Sequence, residues 1–205
     1  MTTNYDNIIE RLLDGHGNDV LPYYFYSYRG FTPVFANGSK QCVSPHDNQL
    51  EFPLIKLNGG LEIFKDGDGF SLDYRKEDYS KFKNCAPEVI FPCQEQGYDT
   101  EYFKAIFPKA NRILQESKVL VVVGYRFPKE DGLIRFLLKQ FAESLRDAKD
   151  KYIFYIDYDQ DGRECELRER VLQVFPDMDR HLFVYTKGFA SFAEEFNKLR
   201  SAYEI

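Results

Sequence analysis

The sequence has no tryptophan, and only two methionines, three histidines and four cysteines in 205 residues. Cys42, Cys85, Cys93 and Cys165 include no C-x-x-C pair. The spacing of a structural zinc site is therefore missing, and no zinc is expected. Buried thiols are the plain reading, because free cysteine is among the most buried residue types. A Cys85–Cys93 disulfide is a minor alternative that a reducing compartment would keep open. Long apolar runs are missing too. Val119–Val123 falls far short of the ~20 residues that span a bilayer, and the N-terminus carries no apolar signal-peptide core. A cytoplasmic protein without membrane contact is expected. There is no dense basic stripe either: 27 lysines and arginines face 33 aspartates and glutamates, for a net charge of -6. Wholesale binding to a phosphate backbone is disfavoured, so nucleic acid is not an expected partner.

Several catalytic signatures are also missing. His16, His46 and His181 are far apart in sequence, and no serine sits in a G-x-S-x-G elbow. Cys42, His46 and Asp47 can be drawn as a nucleophile cluster, but nothing around them resembles a triad. No G-x-G-x-x-G loop occurs, so no ready-made cradle sets a pyrophosphate on a helix N-terminus.

What is present is a core. Hydrophobic residues make up 43% and aromatics 17%, with 19 Phe and 15 Tyr, which suits one globular domain over residues 1–205. Its second half, 101–205, is regular. Lys118–Gly124 is a β-branched run that suits a strand buried on both faces. Apolar residues from Phe127 to Leu145 recur at helical spacing, with Pro128 in a first-turn position. Tyr152–Ile156 is the next strand, Asp161 or Gly162 opens the next helix, His181–Tyr185 is a third strand, and Phe189–Tyr203 is a closing amphipathic helix. This alternation predicts a parallel sheet with crossover helices.

The first half, 1–100, is less regular. A helix is expected at about 5–13, carrying Ile8, Ile9, Leu12 and Leu13. Tyr23–Tyr28 is an aromatic stretch, either strand or packing under a loop. It lacks the basic surroundings of a base-stacking platform. Phe52–Leu57 reads as a buried strand closed by Asn58-Gly59-Gly60. Lys65-Asp-Gly-Asp-Gly69 predicts a hairpin within Glu62–Tyr74, because Asp-Gly pairs favour primed turns. Pro87–Pro92 is a short extended piece, and Tyr102–Ser117 a helix with a break expected at Pro108.

Four segments occur in a telling order: Thr2-Thr-Asn-Tyr-Asp6, Leu54-Ile-Lys-Leu-Asn-Gly-Gly60, Val121-Val-Val-Gly-Tyr-Arg-Phe127 and Phe154-Tyr-Ile-Asp157. Together they resemble the bacterial SIR2-like proteins, relatives of the sirtuins. That family shows T-T-N-Y-D, then K-L-H-G-S, then V-x-G-Y-S-F followed by an Asp, then a strand ending I-D or I-N.

The resemblance implies a Rossmann-type, mainly parallel sheet flanked by helices, with NAD or ADP-ribose as cofactor. It places Asn4 and Asp6 near the nicotinamide riboside, and Gly124, Tyr125 and Arg126 on the adenosine side. It sets Asp157 against a ribose, a role with its own basis: an acidic residue at a strand's carboxyl end accepts ribose hydroxyls. It also implies that an N-terminal Gly-rich βα unit is lacking. In the family's strand order, 3-2-1-4-5-6, the missing strands would leave inner edges open. They could close on one another, be filled by the Tyr23–Tyr28 segment, or be filled by a second chain, either a homodimer or a separate N-terminal half. A longer natural protein is the remaining alternative.

Two residues depart from the family pattern. Asn58 stands at the catalytic His position. An amide does not titrate near neutral pH and cannot act as a general base. Asn-Gly-Gly is also a good turn, which is the favoured reading. Arg126 replaces a serine and can bind a ligand phosphate or pair with Asp131 or Asp157. Asp157–Gly162 mimics half of a calcium loop, but Arg168 stands where the bidentate Glu belongs, so an acidic turn with Asp159 or Asp161 capping the helix is preferred.

The expectation is a SIR2-like protein that is non-catalytic or partner-dependent, with weak or vestigial nucleotide binding, in a family associated with anti-phage defence. The alternatives are an NAD glycohydrolase completed by another polypeptide or by upstream residues, and an interaction module with no ligand. Activity of the chain alone, whether NAD cleavage or NAD-dependent deacylation, is not expected.

Overall fold

The computed structural model describes residues 1–6, 8–9, 27–28, 32–34, 41–44, 53–66, 69–72, 86–91, 97–143, 151–159 and 161–203. The chain divides into two compact units, Met1–Ala110 and Asn111–Ile205.

The second unit carries the βα alternation. Strands β8 (Val119–Val123), β9 (Tyr152–Ile156) and β10 (Leu182–Tyr185) form a parallel sheet in the order β10-β9-β8. Each residue of β8 faces its counterpart in β9, and Leu182–Tyr185 runs beside Ile153–Ile156. Period-2 alternation sends Phe154 and Ile156 to one face and Ile153 and Tyr155 to the other. Helix α4 (Gly188–Tyr203) covers the first face: Phe192 lies 5.8 Å from Phe154 and 5.6 Å from Tyr185. On the other face Tyr155 meets Phe127, which meets Phe175, just beyond helix α3 (Glu164–Leu172). Helix α2 (Gly132–Glu143) buries Ile134, Leu137, Leu138 and Phe141, an i, i+3, i+4, i+7 stripe. The buried Lys151 ammonium donates to the carbonyls of Gln115 (2.7 Å) and Phe141 (3.0 Å) near two helix ends. Desolvation there lowers its pKa.

Four expectations need correction here. β8 is not buried on both faces: Val121 is 38% and Val123 47% exposed, and Val122 is the buried residue. The helix after β8 starts at Gly132, not Phe127, because Phe127 has a positive φ of 50° that no helix accepts. Pro128 therefore lies in the connection. The next helix starts at Glu164, and its N-cap position is Arg163 without a side-chain cap. Asp159 instead organises the preceding turn, accepting from the Asp161 and Arg163 amides at 3.1 and 2.6 Å. His181 ends a 3₁₀ turn (Pro176–His181) and does not begin the strand.

In the first unit β1 (Ser27–Tyr28) pairs parallel with β4 (Pro53–Leu54), and Thr2 bridges Lys56 in the same sense. The aromatic stretch thus contributes Ser27 and Tyr28 to strand pairing; residues 23–26 lie outside the described residues. A second, antiparallel sheet runs β2-β3-β6-β5-β7, built from Thr32–Val34, Gln41–Ser44, Gly69–Leu72, Gly59–Asp66 and Pro87–Val89. The expected hairpin is the β5–β6 pair, which closes with Asp66 opposite Gly69. β2 and β3, which pair antiparallel, were not among the elements expected from the sequence. Helix α1 (Glu101–Glu116) runs through Pro108 unbroken. Pro108 is exposed, so water can reach the carbonyl it leaves free, while Tyr102, Phe103, Ile106 and Ala110 anchor the buried face. Of the helix expected at about 5–13, residues 5, 6, 8 and 9 are described: 5 and 6 are not helical, while 8 and 9 are helical and exposed. The division between units falls inside α1. Among the described residues, no helix is long and apolar enough to cross a membrane.

Candidate functional site

The residues singled out from the sequence fall into two constellations, one in each unit.

The first is built on the end of β4. Ile55, Lys56 and Leu57 are almost fully buried, and Asn58 is 7% exposed. Thr2 lies beside Lys56, exchanging backbone hydrogen bonds with Ile55 and Leu57, both at 2.8 Å. That bridge aims the following residues across the strand end. Asn4 and Asp6 are exposed there. The Asn4 amide donates to Thr2 Oγ1 (3.1 Å), and Asp6 Oδ1 accepts from the Ile8 amide (3.1 Å), as a residue opening a helix does. Lys56 Nζ donates to the Asp6 carbonyl at 2.6 Å. No role was expected for Lys56, yet it ties the Asp6 turn to the buried strand.

Asn58 turns the chain after that strand. Gly59 follows with φ 72°, and its amide donates to the Lys56 carbonyl at 3.1 Å. A Cβ on Gly59 would lie 1.9 Å from the Glu88 carbonyl oxygen of β7, so only glycine fits. The Asn58 side chain is committed at both ends. Nδ2 donates to the Thr3 carbonyl at 3.3 Å, and Oδ1 accepts from the Tyr98 hydroxyl at 3.1 Å. Its turn role is the one the sequence favoured. Tyr98 was missed: it sits 40 residues away with no local motif.

The second constellation lies at the carboxyl ends of β8 and β9. Gly124 (φ 64°) ends β8, its amide donating to the Ile156 carbonyl at 2.9 Å. No atom approaches within 4 Å of its absent Cβ, so backbone is open there. Tyr125 donates to Asp131 Oδ2 at 2.7 Å. Asp131 is therefore engaged by Tyr125, and Arg126 instead reaches Asp157, Nε to Oδ2 at 4.0 Å. Arg126 is 73% exposed and Asp157 only 13%, so the contact is loose on the arginine side. Asp157 is held from below: Oδ1 accepts from the Tyr158 amide at 2.8 Å, and Oδ2 from the Tyr155 hydroxyl at 3.4 Å. Burial pushes the Tyr155 hydroxyl pKa up, the Asp157 charge adds to this, and the neighbouring Arg170 opposes it. Tyr155 thus stays protonated as a donor, and Asp157 keeps lone pairs free for a ligand hydroxyl.

Phe127 is the one non-glycine positive-φ residue among the described residues. The conformation costs about 1–2 kcal/mol. Burial against Tyr155 and Phe175 offsets it, and its carbonyl accepts from Arg135 at 2.9 Å. Arg126, Pro128, Lys129, Arg135, Glu169 and Arg170 are among the residues around a cleft of about 320 Å³. In the acidic turn, Asp159 is taken up by Arg163, 3.3 Å away. Arg168, at the calcium-loop Glu position, binds Asp179 at 2.9 Å and the Leu182 carbonyl at 3.2 Å.

A parallel sheet with helices on both faces, and polar groups gathered outside its strands' carboxyl ends, defines a Rossmann-like α/β protein. Comparison with protein-family models matches residues 1–175 to one described as SIR2-like domain. The chain belongs to that family, and its ancestry is NAD-related. No curated protein matches. No solved structure matches either.

Proposed function

We propose that this SIR2-like protein binds NAD or ADP-ribose weakly and does not cleave it unaided. The observation that carries this reading is the Asn58 amide, both ends of which serve the fold. The family's base position is thus occupied by a group that neither titrates nor is free to move. Asp157 is suited to accept the adenosine ribose hydroxyls, with Gly124, Tyr125 and Arg126 beside it. Asn4 and Asp6, exposed in the first unit, are assigned the nicotinamide riboside. The residues at the end of β9 fit a ribose; no glycine-rich loop in the sequence offers the pyrophosphate cradle. When bound, NAD would supply a nicotinamide leaving group.

A second reading has its own support. Among the described residues β8 pairs only with β9, and its Val121 and Val123 side chains are exposed. An apolar edge strand of this kind invites a further strand. A second copy, or a chain carrying a glycine-rich strand and helix, would then complete an NAD glycohydrolase. NAD depletion in anti-phage defence is the family setting for such an assembly. Without a ligand, the same edge would serve a pure interaction module.

Thermal unfolding with and without millimolar NAD⁺ and ADP-ribose, paired with a nicotinamide-release assay, tests the proposal. Ligand at a hundredfold excess over Kd stabilises the native state by about 2.7 kcal/mol. An upward shift without nicotinamide release is expected, for the protein and for Asn58→Ala alike. Release by the purified chain would overturn it.

A further inference from the structure

We infer that the cleft outside β8 and β9 takes a ribose bearing a phosphomonoester, so that a 2′- or 3′-phosphorylated adenine nucleotide binds in preference to the unphosphorylated one. The inference rests on the assignment of Asp157 to a ribose. Four cations line the cleft, Arg126, Lys129, Arg135 and Arg170, against two carboxylates, Glu166 and Glu169. Two of the cations are partly engaged: Arg135 donates Nη1 to the Phe127 carbonyl, and Arg170 lies beside the Tyr155 hydroxyl. Asp157 itself lines an adjoining small pocket, which shares Arg126, Glu166 and Arg170 with the cleft and also holds Asp159 and Arg163. Arg163 is spoken for by Asp159 and Asp161, each 3.3 Å away. Arg126 is different. It projects into solvent, 73% exposed, over a carboxylate that Tyr155 and the Tyr158 amide already hold in place.

This geometry pairs the two requirements of a phosphorylated ribose. Asp157 has acceptor capacity left for one ribose hydroxyl. A bare aspartate there would repel a phosphate on the adjacent hydroxyl, as in sites selective for the unphosphorylated dinucleotide. The Arg126 guanidinium, 4.0 Å from the carboxylate, reverses that preference by offering a planar fork to the phosphate. Arg126 is shared by the Asp157 pocket and the larger cleft, and Lys129 lines the larger cleft as a second, flexible cation. Ligands of open α/β sheets bind in this crevice beyond the strand ends, so the anion need not travel to reach the cations.

The test uses the full chain and four probes: NAD⁺, NADP⁺, adenosine and adenosine 2′-monophosphate, titrated by calorimetry at low and high salt. The phosphorylated member of each pair should bind at least about tenfold more tightly, with the ratio shrinking as salt rises. Arg126→Ser should bring the ratio to within about threefold of unity, and Lys129→Gln should lower it less, since one fork donor outweighs one point charge. Arg126 is exposed, so this variant should fold, which circular dichroism checks. Equal affinities for NAD⁺ and NADP⁺, or a ratio unmoved by Arg126→Ser, would overturn the inference and leave the nucleotide-binding proposal standing. Arg126-dependent binding of adenosine 2′-monophosphate without binding of either dinucleotide would sustain the phosphate site and overturn the dinucleotide reading. Failure of all four probes to bind would overturn both.

Discussion

Replacing Asn58 by alanine tests whether that amide is a structural pin. The side chain makes two hydrogen bonds, to the Thr3 carbonyl at 3.3 Å and from Tyr98 at 3.1 Å, in a site only 7% exposed. Each bond is worth about 0.5–1.5 kcal/mol net, with a further penalty for any partner left dry. Thr3 and Tyr98 are half-buried, so water can reach them and that penalty is small. Asn58→Ala should therefore destabilise by about 2 kcal/mol. Tyr98→Phe removes one of the bonds and should cost about 1 kcal/mol. Because the variants share that bond, the double variant should fall short of their sum by about 0.5–1 kcal/mol. The assay is urea unfolding followed by far-ultraviolet circular dichroism, since the chain has no tryptophan to report by fluorescence. An Asn58→Ala cost below about 0.5 kcal/mol, the range of ordinary surface changes, or strictly additive effects, would refute the reasoning. The amide would then be free to act on a ligand.

Gly59→Ala and Gly124→Ala share a left-handed backbone, φ 72° and 64°, but differ in space. Gly124→Ala should cost only the conformational term of about 1–2 kcal/mol, whereas Gly59→Ala must also push β7 away from the Glu88 contact at 1.9 Å and should cost clearly more by the same unfolding assay. Lys151→Met removes two charge-assisted bonds to helix-end carbonyls and should lower stability by about 2–3 kcal/mol; a neutral result would show that those carbonyls find water. Tyr155 has its folded pKa raised above the ordinary 10.0. Its contribution is intact below pH 10 and is lost as pH rises through the folded value, so Tyr155→Phe should flatten the alkaline fall of stability above pH 10. An unchanged slope in that variant would place the loss elsewhere.

How much of this could be read from the chain follows from which interactions are local. β8, β9 and β10 announce themselves as apolar runs, and the spacing of Ile134, Leu137, Leu138 and Phe141 marks a helix, because burial of one face imposes a period on the sequence. The Asp and Gly residues between 65 and 69 predict a hairpin from turn chemistry alone, and β5 and β6 do pair, with Asp66 opposite Gly69. The four motifs carry the family, because each is a short run of consecutive residues. What the sequence could not supply are the choices between partners of equal chemical merit. Arg126 had Asp131 and Asp157 within reach, and packing gave Asp131 to Tyr125. Tyr98 meets Asn58 across 40 residues, and Lys56 meets Asp6 across 50, distances over which no periodicity carries information. Exposure of Val121 and Val123 is likewise a property of what stacks on the sheet, to which a β-branched run is indifferent. The sequence by itself determined the strands and crossover helices of the second unit in outline, their parallel sheet, and the family. Only the tertiary structure decided that Asn58 is pinned and that Arg126 stands over Asp157, because both depend on side chains brought together from separate segments.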